Sequence, residues 1–331
     1  MSEWPPPPLS TIVPIEKGPF PLDYSHRIFH MGSCFSQSIG SRLIADQFQV
    51  VSSPFGIVYD PTAMADQLDR IMSDQWYTLD DLVHDGHLYH SLDHHSTYSG
   101  GDAGPVLERI NQSLQSCRDA LPQCRLMILT FANTRSFQHR ATGRRAANCH
   151  QLPSSEWTVE EMGLKALTDR YVPLITNMQA RFPSLHMMVT ISPVRYLYGG
   201  MQQNNRSKAR LHLLAETLEP LNVWTFPAFE ILMDELRDYR YYDRDLVHPS
   251  ALAVDIIYQR WLESILTLPA KELLQQVRSI HRDLNHRLRF PETAQARAFR
   301  DTTMKKIETL RNEHPAFPWL FSDVIPPTEP T

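Results

Sequence analysis

The sequence predicts an α/β fold built on a doubly wound parallel sheet, with extra helices at the carboxyl end. Short apolar stretches alternate with longer segments whose apolar residues recur at helical spacing. Parallel strands need crossovers long enough to hold a helix, and these segments are long enough. The chain of 331 residues ends in a charged stretch that also has a helical pattern.

The five apolar stretches are interpreted as buried strands, and the segments between them as helices. Strands are expected at residues 26–30, 49–51, 126–131, 187–191 and 223–226. Helices are expected at residues 36–48, 62–72, 106–121, 159–179 and 207–218. Residues 269–314 are expected to form helices packed outside the core, with a break at Pro291.

The composition is that of an ordinary globular protein, with 42% hydrophobic and 21% charged residues. The formal net charge of −5 gives no basic excess, so we expect no nucleic acid partner. No apolar run is long enough to cross a membrane, so no membrane partner is expected, and the proline-dominated residues 1–10 lack the features of a secretory signal. Four scattered cysteines favour a reducing compartment, and cytoplasm is the expectation, with a processed precursor as the alternative.

Ligands of doubly wound sheets bind beyond the carboxyl ends of the strands. In this chain the rule selects residues 32–35, 52–56, 132–135, 192–195 and 227–229 as the rim of a site. Ser33 is the nucleophile candidate on this rim, facing the open edge just before a helix whose N–H groups can stabilise an oxyanion. The alternative is a turn in which the serine only caps the helix.

A second segment, residues 243–249, places Asp245 three residues before His248 and a proline directly after it. This spacing lets the carboxylate accept a hydrogen bond from one imidazole nitrogen while the other nitrogen faces a serine hydroxyl. A surface pair is the simpler explanation of an Asp-x-x-His on its own. Joined to the strand-end Gly32-Ser33, the segment predicts a Ser–His–Asp site.

Several motifs in order along the chain resemble the GSCFA family of SGNH/GDSL-like hydrolases, over about residues 29–257. Any one of them is weak, and their order over most of the chain makes the resemblance specific. The motifs are Gly32-Ser33-Cys34-Phe35, the Pro-Phe-Gly-Ile-Val-Tyr block at 54–59, Asn148-Cys149-His150, Ser192-Pro193-Val194-Arg195, the block at 233–240 and Asp245-x-x-His248-Pro249-Ser250.

The resemblance implies a flavodoxin-like sheet with a Ser33–His248–Asp245 triad. It also implies an SGNH-like catalytic domain over residues 19–268, between a proline-rich extension at 1–18 and a helical extension at 269–331. The oxyanion hole would take the N–H groups of Ser33 and Gly56 and an asparagine side chain. This chain reads Phe131-Ala132-Asn133-Thr134 where the family usually has Gly-Thr-Ala-Trp. Asn133 is the preferred donor because it directly follows the predicted strand, and Asn148, on a longer loop, is the alternative. Ser36 replaces the alanine of the family name, a change expected to be harmless.

Other candidates have simpler interpretations. Cys34 would be the better nucleophile as a thiolate, but adjacent side chains on such a turn point in different directions, and structural burial is expected. The histidines between residues 84 and 95 fit no standard metal pattern, so a folded hairpin is preferred, without metal or cofactor. Arg195 is expected to contact either an anionic substrate group or a carboxylate of the fold, and His95 to lie near the mouth of the site.

These features predict a serine hydrolase that acts on an acyl ester. By family analogy, the preferred substrate is an acetyl group on a carbohydrate-like alcohol. An acyltransferase with the same triad is the nearest alternative. A non-catalytic binding protein on the same fold is another, and a metal-binding protein is a third.

Overall fold

The structure, a computed structural model that describes residues 11–324, is built around one parallel sheet. Five strands form the sheet in the order β2-β1-β5-β8-β9, and every neighbouring pair is parallel. Numbered among themselves, they have the flavodoxin-like order 2-1-3-4-5. The predicted fold class is therefore confirmed. In chain order the strands are β1 Arg27–Gly32, β2 Val50–Ser52, β3 Leu82–His84, β4 Tyr89–Ser91, β5 Cys124–Phe131, β6 Arg135–His139, β7 Trp157–Glu161, β8 His186–Ile191 and β9 Val223–Phe226.

Helices cover both faces of the sheet. In chain order they are α1 Cys34–Ala45, α2 Pro61–Met72, α3 Ala103–Ala120, α4 Leu164–Arg181, α5 Gly200–Leu218, α6 Ala228–Glu230, α7 Ala251–Ile265, α8 Leu268–Leu284 and α9 Ala294–Glu313. Helices α2 to α5 bury their apolar residues against one face, and α1, α7, α8 and α9 against the other. Alternation along β1 sends Phe29 and Met31 to the first layer and Ile28 to the second. None of the described helices is long and apolar enough to cross a membrane.

The predicted helix over residues 159–179 is wrong at its start. Trp157–Glu161 is strand β7, which pairs antiparallel with β6, and α4 begins only at Leu164. The β-branched Thr158 and Val159 favour an extended chain when a partner strand is available, and β6 provides that partner. Helical spacing of the apolar residues could not reveal this tertiary contact. The other four predicted helices and all five predicted strands occur, with ends shifted by a few residues.

The carboxyl-terminal helices continue the second apolar layer. The predicted break at Pro291 is confirmed, since α8 ends at Leu284 and α9 begins at Ala294. Buried residues of both helices belong to the same cluster as α1 and α7. Arg278 of α8 also pairs with Asp46, at the end of α1, at 2.6 Å. The predicted extension over residues 1–18 falls largely on residues 1–10, outside the described residues.

Candidate active site

Ser33 lies where β1 meets α1, at the carboxyl edge of the sheet. The strand order reverses between β1 and β5, and ligand crevices form at such points. Gly32 makes the turn possible: its φ is +149°, and an added Cβ would lie 2.6 Å from the Cβ of Thr130. Ser33 is the N-cap residue of α1, yet its side chain makes no capping hydrogen bond. A capping role therefore does not account for the hydroxyl.

The Ser33 hydroxyl is buried, which corrects the expectation that it faces the open rim. Ser33 has 0% of its surface exposed, and its hydroxyl donates to Ser192 Oγ at 3.1 Å. Ser192 follows β8, and its N–H donates to the carbonyl of Phe131 at 2.8 Å. The loop after β8 thus covers the strand end and supplies the hydrogen-bond partner that water would supply on an open rim.

Asp245 and His248 form the predicted pair, with Asp245 Oδ2 and His248 Nδ1 2.6 Å apart. The other carboxylate oxygen accepts the N–H groups of Val247 and His248 at 2.9 and 3.0 Å. The backbone N–H and the imidazole of His248, together with the Val247 N–H, lower the pKa of Asp245 to about 2. The carboxylate therefore stays ionised at neutral pH and holds a proton on His248 Nδ1. The imidazole remains accessible, with 45% of its side-chain surface exposed.

The loop that carries this pair is anchored at both ends. The Asp243 N–H donates to the carbonyl of His248 at 2.8 Å, and the Ser250 N–H donates to the carbonyl of Tyr241, also at 2.8 Å. Leu246 takes a left-handed conformation with φ 58°, which closes the turn between Asp243 and His248. Ser250 then caps α7 through its side chain. The Asp–His pair is consequently held by backbone contacts.

The loop after β8 connects the two parts of the candidate site. Its Ser192 accepts the hydrogen bond of Ser33, and its Arg195 N–H donates to the carbonyl of Val247 at 3.2 Å. Within residues 11–324, no hydrogen bond joins Ser33 to His248. The structure therefore brings Asp245 and His248 together, and places the Ser33 hydroxyl against the loop that contacts their segment.

Cys34 is a poor candidate for the nucleophile. Burial is the main cause that raises the pKa of its thiol, and the nearby charge of Asp245 adds to it. A raised pKa disfavours the reactive thiolate at neutral pH. Burial likewise raises the pKa of Cys149 to about 11 and that of Cys117 and Cys124 to about 12. All four cysteines are free thiols.

The N–H of Gly56, an expected oxyanion donor, is engaged in a turn. It donates to the carbonyl of Ser53 at 2.7 Å. Gly56 has φ +93°, and an added Cβ would lie only 2.2 Å from the Cβ of His95. His95 therefore packs directly on Gly56, and the His95 N–H bonds to the carbonyl of Phe55 at 2.8 Å. Gly56 can donate to an oxyanion only after the turn at Ser53 opens.

Asn133 and Asn148 have the same local geometry. The side-chain oxygen of each accepts the backbone N–H two residues later, at 2.9 Å from Arg135 and 2.8 Å from His150. Each Nδ2 amide is thereby left without an acceptor among the described residues. The two asparagines are equal as donors and differ in position.

Position favours Asn133. It follows β5, the neighbour of the strand that ends at Gly32. Its N–H donates to the carbonyl of Tyr59 at 3.2 Å, which ties it to the block at residues 54–59. Asn148 instead lies in a segment whose backbone N–H groups, its own included, donate to the carbonyl of Leu92 beside the β3–β4 hairpin.

The histidines between residues 84 and 95 lie in and just after the β3–β4 hairpin, whose prediction is confirmed. His90 Nε2 is 2.9 Å from Asp85 Oδ2, and His94 Nδ1 is 2.7 Å from Ser91 Oγ. Across residues 11–324, no group of three or more His, Cys, Asp or Glu side chains could hold a metal ion.

Arg195 does not hold the Asp245 loop through an ion pair. Its guanidinium lies 4.7 Å from the ring centre of Tyr242 and forms no salt bridge with any residue from 11 to 324. Together with Arg237 and Tyr239 it lines a pocket of about 160 Å³. Arg195 therefore contacts the loop through its backbone N–H, and its guanidinium lies against the ring of Tyr242.

Sequence reasoning missed the contact of Ser192 with Ser33 and the presence of Lys208 beneath the same loop. Lys208 is buried on α5, where it shares the inner face with Leu211 and Ala215. It is the one charged residue on the buried face of α5, and the sequence does contain this signal. Its significance depends on which loops lie above it.

The fold and the site define a flavodoxin-like α/β protein that presents a serine at the switch point and an Asp–His pair on the facing loop. The chain belongs to the GSCFA family, whose profile matches residues 27–261. This match confirms the resemblance seen in the motifs. No curated protein matches the chain.

Solved structures with related folds have low overall similarity. One belongs to a protein assigned to the G-D-S-L family of lipolytic proteins from Desulfitobacterium hafniense DCB-2, with TM-score 0.38 and 11% identity over 72% of this chain and 99% of that chain. A second is a carbohydrate esterase family 3 structure from Talaromyces cellulolyticus, with TM-score 0.34 and 7% identity over 77% and 99% of the two chains. A third is an acetyl xylan esterase from the rumen bacterium Butyrivibrio proteoclasticus, with TM-score 0.35 and 9% identity over 76% and 64%.

Proposed function

We propose that the protein is a serine hydrolase that cleaves an acyl ester. Ser33 is the nucleophile, His248 the general base, and Asp245 orients the imidazole. The observation that carries the proposal is the 2.6 Å hydrogen bond between Asp245 and His248. The loop that carries this pair bonds to the segment after β8, and that segment also accepts the hydrogen bond of the Ser33 hydroxyl. Membership of the GSCFA family, whose motifs include both parts, supports it.

The reaction begins when the Ser33 hydroxyl turns from Ser192 towards His248 Nε2. Ser33 Oγ then attacks the carbonyl carbon while His248 takes its proton, and the carbonyl electron pair moves onto the oxygen. When the tetrahedral intermediate collapses, His248 gives the proton to the leaving alcohol and an acyl-serine remains. Water repeats the sequence and releases the acid. A second alcohol in place of water gives acyl transfer.

The preferred acyl group is small. A nucleophile with 0% exposed surface lies beneath the rim, and an acetyl group needs far less additional space there than a long chain. Tyr59, Tyr198 and Tyr239 are exposed by 40%, 62% and 63% and offer aromatic faces to a substrate. The carbohydrate-like alcohol rests on the family analogy. Cytoplasmic location remains a prediction from the cysteine content.

A panel of short acyl esters and acetylated sugars tests the function. We expect turnover that is highest for acetyl and falls with chain length, that is unaffected by a chelator, and that is lost in Ser33→Ala. Adding an acceptor alcohol separates transfer from hydrolysis, because transfer yields a new ester. If the folded wild type turned over no ester yet bound acetylated sugars, the protein would be a binding protein.

The third oxyanion donor is tested by two asparagine variants compared side by side. If the Nδ2 amide of Asn133 donates to the oxyanion, Asn133→Ala should lower kcat by roughly a hundredfold or more, the usual effect of losing one preorganised donor. KM should change little, because the charge develops mainly in the transition state. Steady-state kinetics on the best panel ester provide the measurement.

Asn148→Ala is the matched control, because its side chain has the same local geometry. It should leave kcat nearly unchanged. The reverse pattern would assign the donor to Asn148. If neither variant changed kcat, the donors of the oxyanion hole would be backbone N–H groups alone.

A further inference from the structure

Lys208 is buried beneath the candidate site and has only backbone partners. Its side chain projects from α5, and 3% of the residue is exposed. Its ammonium donates to the carbonyl of Ala132 at 2.7 Å and to that of Ser192 at 2.6 Å. No carboxylate pairs with it within residues 11–324. The nearest ring is that of Phe229, with its centre 5.8 Å from Nζ.

Packing alone does not explain a lysine at this place. A charged amine that leaves water for a buried site costs free energy unless a carboxylate or several hydrogen bonds compensate it. Burial accordingly lowers the pKa of Lys208 to about 7. The other buried residues of α5 are uncharged, whether apolar like Leu211 and Ala215 or polar like Asn204 and Ser207. The charge of the amine therefore has a role beyond filling space.

The two carbonyls belong to the segments that follow β5 and β8, two neighbouring strands on the same side of β1. Ala132 immediately precedes Asn133, the preferred oxyanion donor. Ser192 holds the Ser33 hydroxyl through its side chain. One ammonium thus ties the carboxyl end of β5 to that of β8, next to the segment that carries the nucleophile. Its charge also reaches Cys34, the residue next to Ser33, where it opposes the rise in thiol pKa caused by burial.

We propose that Lys208 is a positioning residue for the reaction at Ser33. It fixes the distance between the Asn133 and Ser192 segments, and its positive charge favours the oxyanion that forms at Ser33 beside them. This inference rests on the proposed function. It differs from the triad and the oxyanion donors because Lys208 touches neither the substrate nor the reacting atoms.

The groups that face Lys208 determine how this role depends on pH. From α1 it faces Cys34, whose thiol remains neutral. On its own helix, one turn further, lies His212, which is 3.4 Å from Glu230 and whose own pKa is lowered by burial. None of these supplies a full negative charge in direct contact. With a pKa of about 7, Lys208 loses its positive charge as the pH rises through neutrality.

The expected pH profile of kcat follows from this loss of positive charge. Lys208 must be protonated to favour the oxyanion, so kcat should fall as the pH rises above about 7. In this proposal the alkaline fall comes from the amine of Lys208, so a variant without the amine should lack it. A lysine with a purely structural role would not produce it.

Three variants test the role, with kcat and KM measured from pH 5 to pH 10. Lys208→Met removes both donor and charge, and we expect kcat to fall by roughly a hundredfold with little change in KM, together with loss of the alkaline fall. Lys208→Gln keeps an uncharged donor and should recover part of kcat without the alkaline fall. Lys165→Met removes an exposed lysine of α4 and should behave as the wild type.

A second measurement does not depend on turnover. The folded pKa of about 7 lies below the ordinary lysine pKa of 10.5, so between these pH values the unfolded chain binds a proton that the folded chain does not. The unfolding free energy of the wild type, relative to Lys208→Met, should therefore increase as the pH rises from 7 to 10. Urea unfolding at several pH values provides this difference.

The outcomes separate the two proposals. If the wild type is active and both Lys208 variants keep its kcat and its alkaline fall, the positioning role is wrong and the hydrolase proposal stands. A wild type that hydrolyses no ester would overturn both proposals. If the stability difference still increased with pH in that case, the burial of Lys208 would be correct and the error would lie in the function. A flat stability difference would contradict the buried amine itself.

Discussion

Replacing Ser33 by alanine is expected to lower kcat/KM for the best ester by roughly a thousandfold or more, since triad residues act as a unit. The variant loses the atom that forms the acyl-enzyme, and no neighbour replaces it. The fold should survive, because the lost hydrogen bond to Ser192 contributes only about 1 kcal/mol. Steady-state kinetics and urea unfolding of the same preparation separate the two effects.

The matched control is Cys34→Ala, one residue further along α1. Cys34 is half-buried and its thiol has a raised pKa, so its removal should leave most of the activity. If Cys34→Ala lost all activity without unfolding while Ser33→Ala retained it, the nucleophile would be Cys34.

The second large effect is expected for Asp245→Asn. Asparagine preserves the size of the side chain, but its amide can donate where the carboxylate accepts, so His248 is held in the wrong tautomer. Loss of the carboxylate should lower kcat by about 10⁴-fold, as for other triads. Asp245 has a pKa of about 2, so the wild type should keep this carboxylate ionised at every pH used for kinetics.

Asp243→Asn is the control for this variant. Asp243 lies in the same exposed loop, and among residues 11–324 its side chain accepts only the N–H of Arg244. Its replacement should change kcat by less than about threefold, the scale of a surface substitution within ±0.5 kcal/mol. Equal losses in both variants would indicate that the loop is disturbed, and would remove the special role of Asp245.

The sheet could be predicted from the sequence because its strands are buried on both faces and read as short apolar runs. The run that ends at Phe131 is the clearest, and β5 occupies the centre of the sheet. The Asp245–His248 pair could be predicted for a similar reason: a spacing of three residues brings both side chains together locally. Features of this kind depend only on neighbours along the chain.

The remaining features depend on contacts between distant segments. Ser33 is buried because the loop after β8, some 160 residues later in the sequence, covers it. The Gly56 N–H is occupied because the chain forms a turn at Ser53. Lys208 acquires its role only when the ends of β5 and β8 come together above it. No local pattern contains this information.

Ser36 illustrates the same limit on a smaller scale. The replacement of the family's alanine was expected to be harmless, and its hydroxyl lies 3.0 Å from Nδ1 of the buried His30. Burial lowers the pKa of His30 to about 4, so the imidazole is neutral and can share this hydrogen bond. The serine therefore provides a partner for a buried polar group, which the sequence position alone does not show.

The central claim is that His248 activates Ser33, and covalent labelling tests it most directly. A small organophosphorus or sulfonyl reagent should label the wild type rapidly at Ser33, because a polarised serine reacts far faster than an ordinary hydroxyl. The same treatment of His248→Ala should leave Ser33 unlabelled over the same time. Peptide mass mapping that placed the wild-type adduct on another residue, or labelling of Ser33 at equal rates in both proteins, would contradict the account.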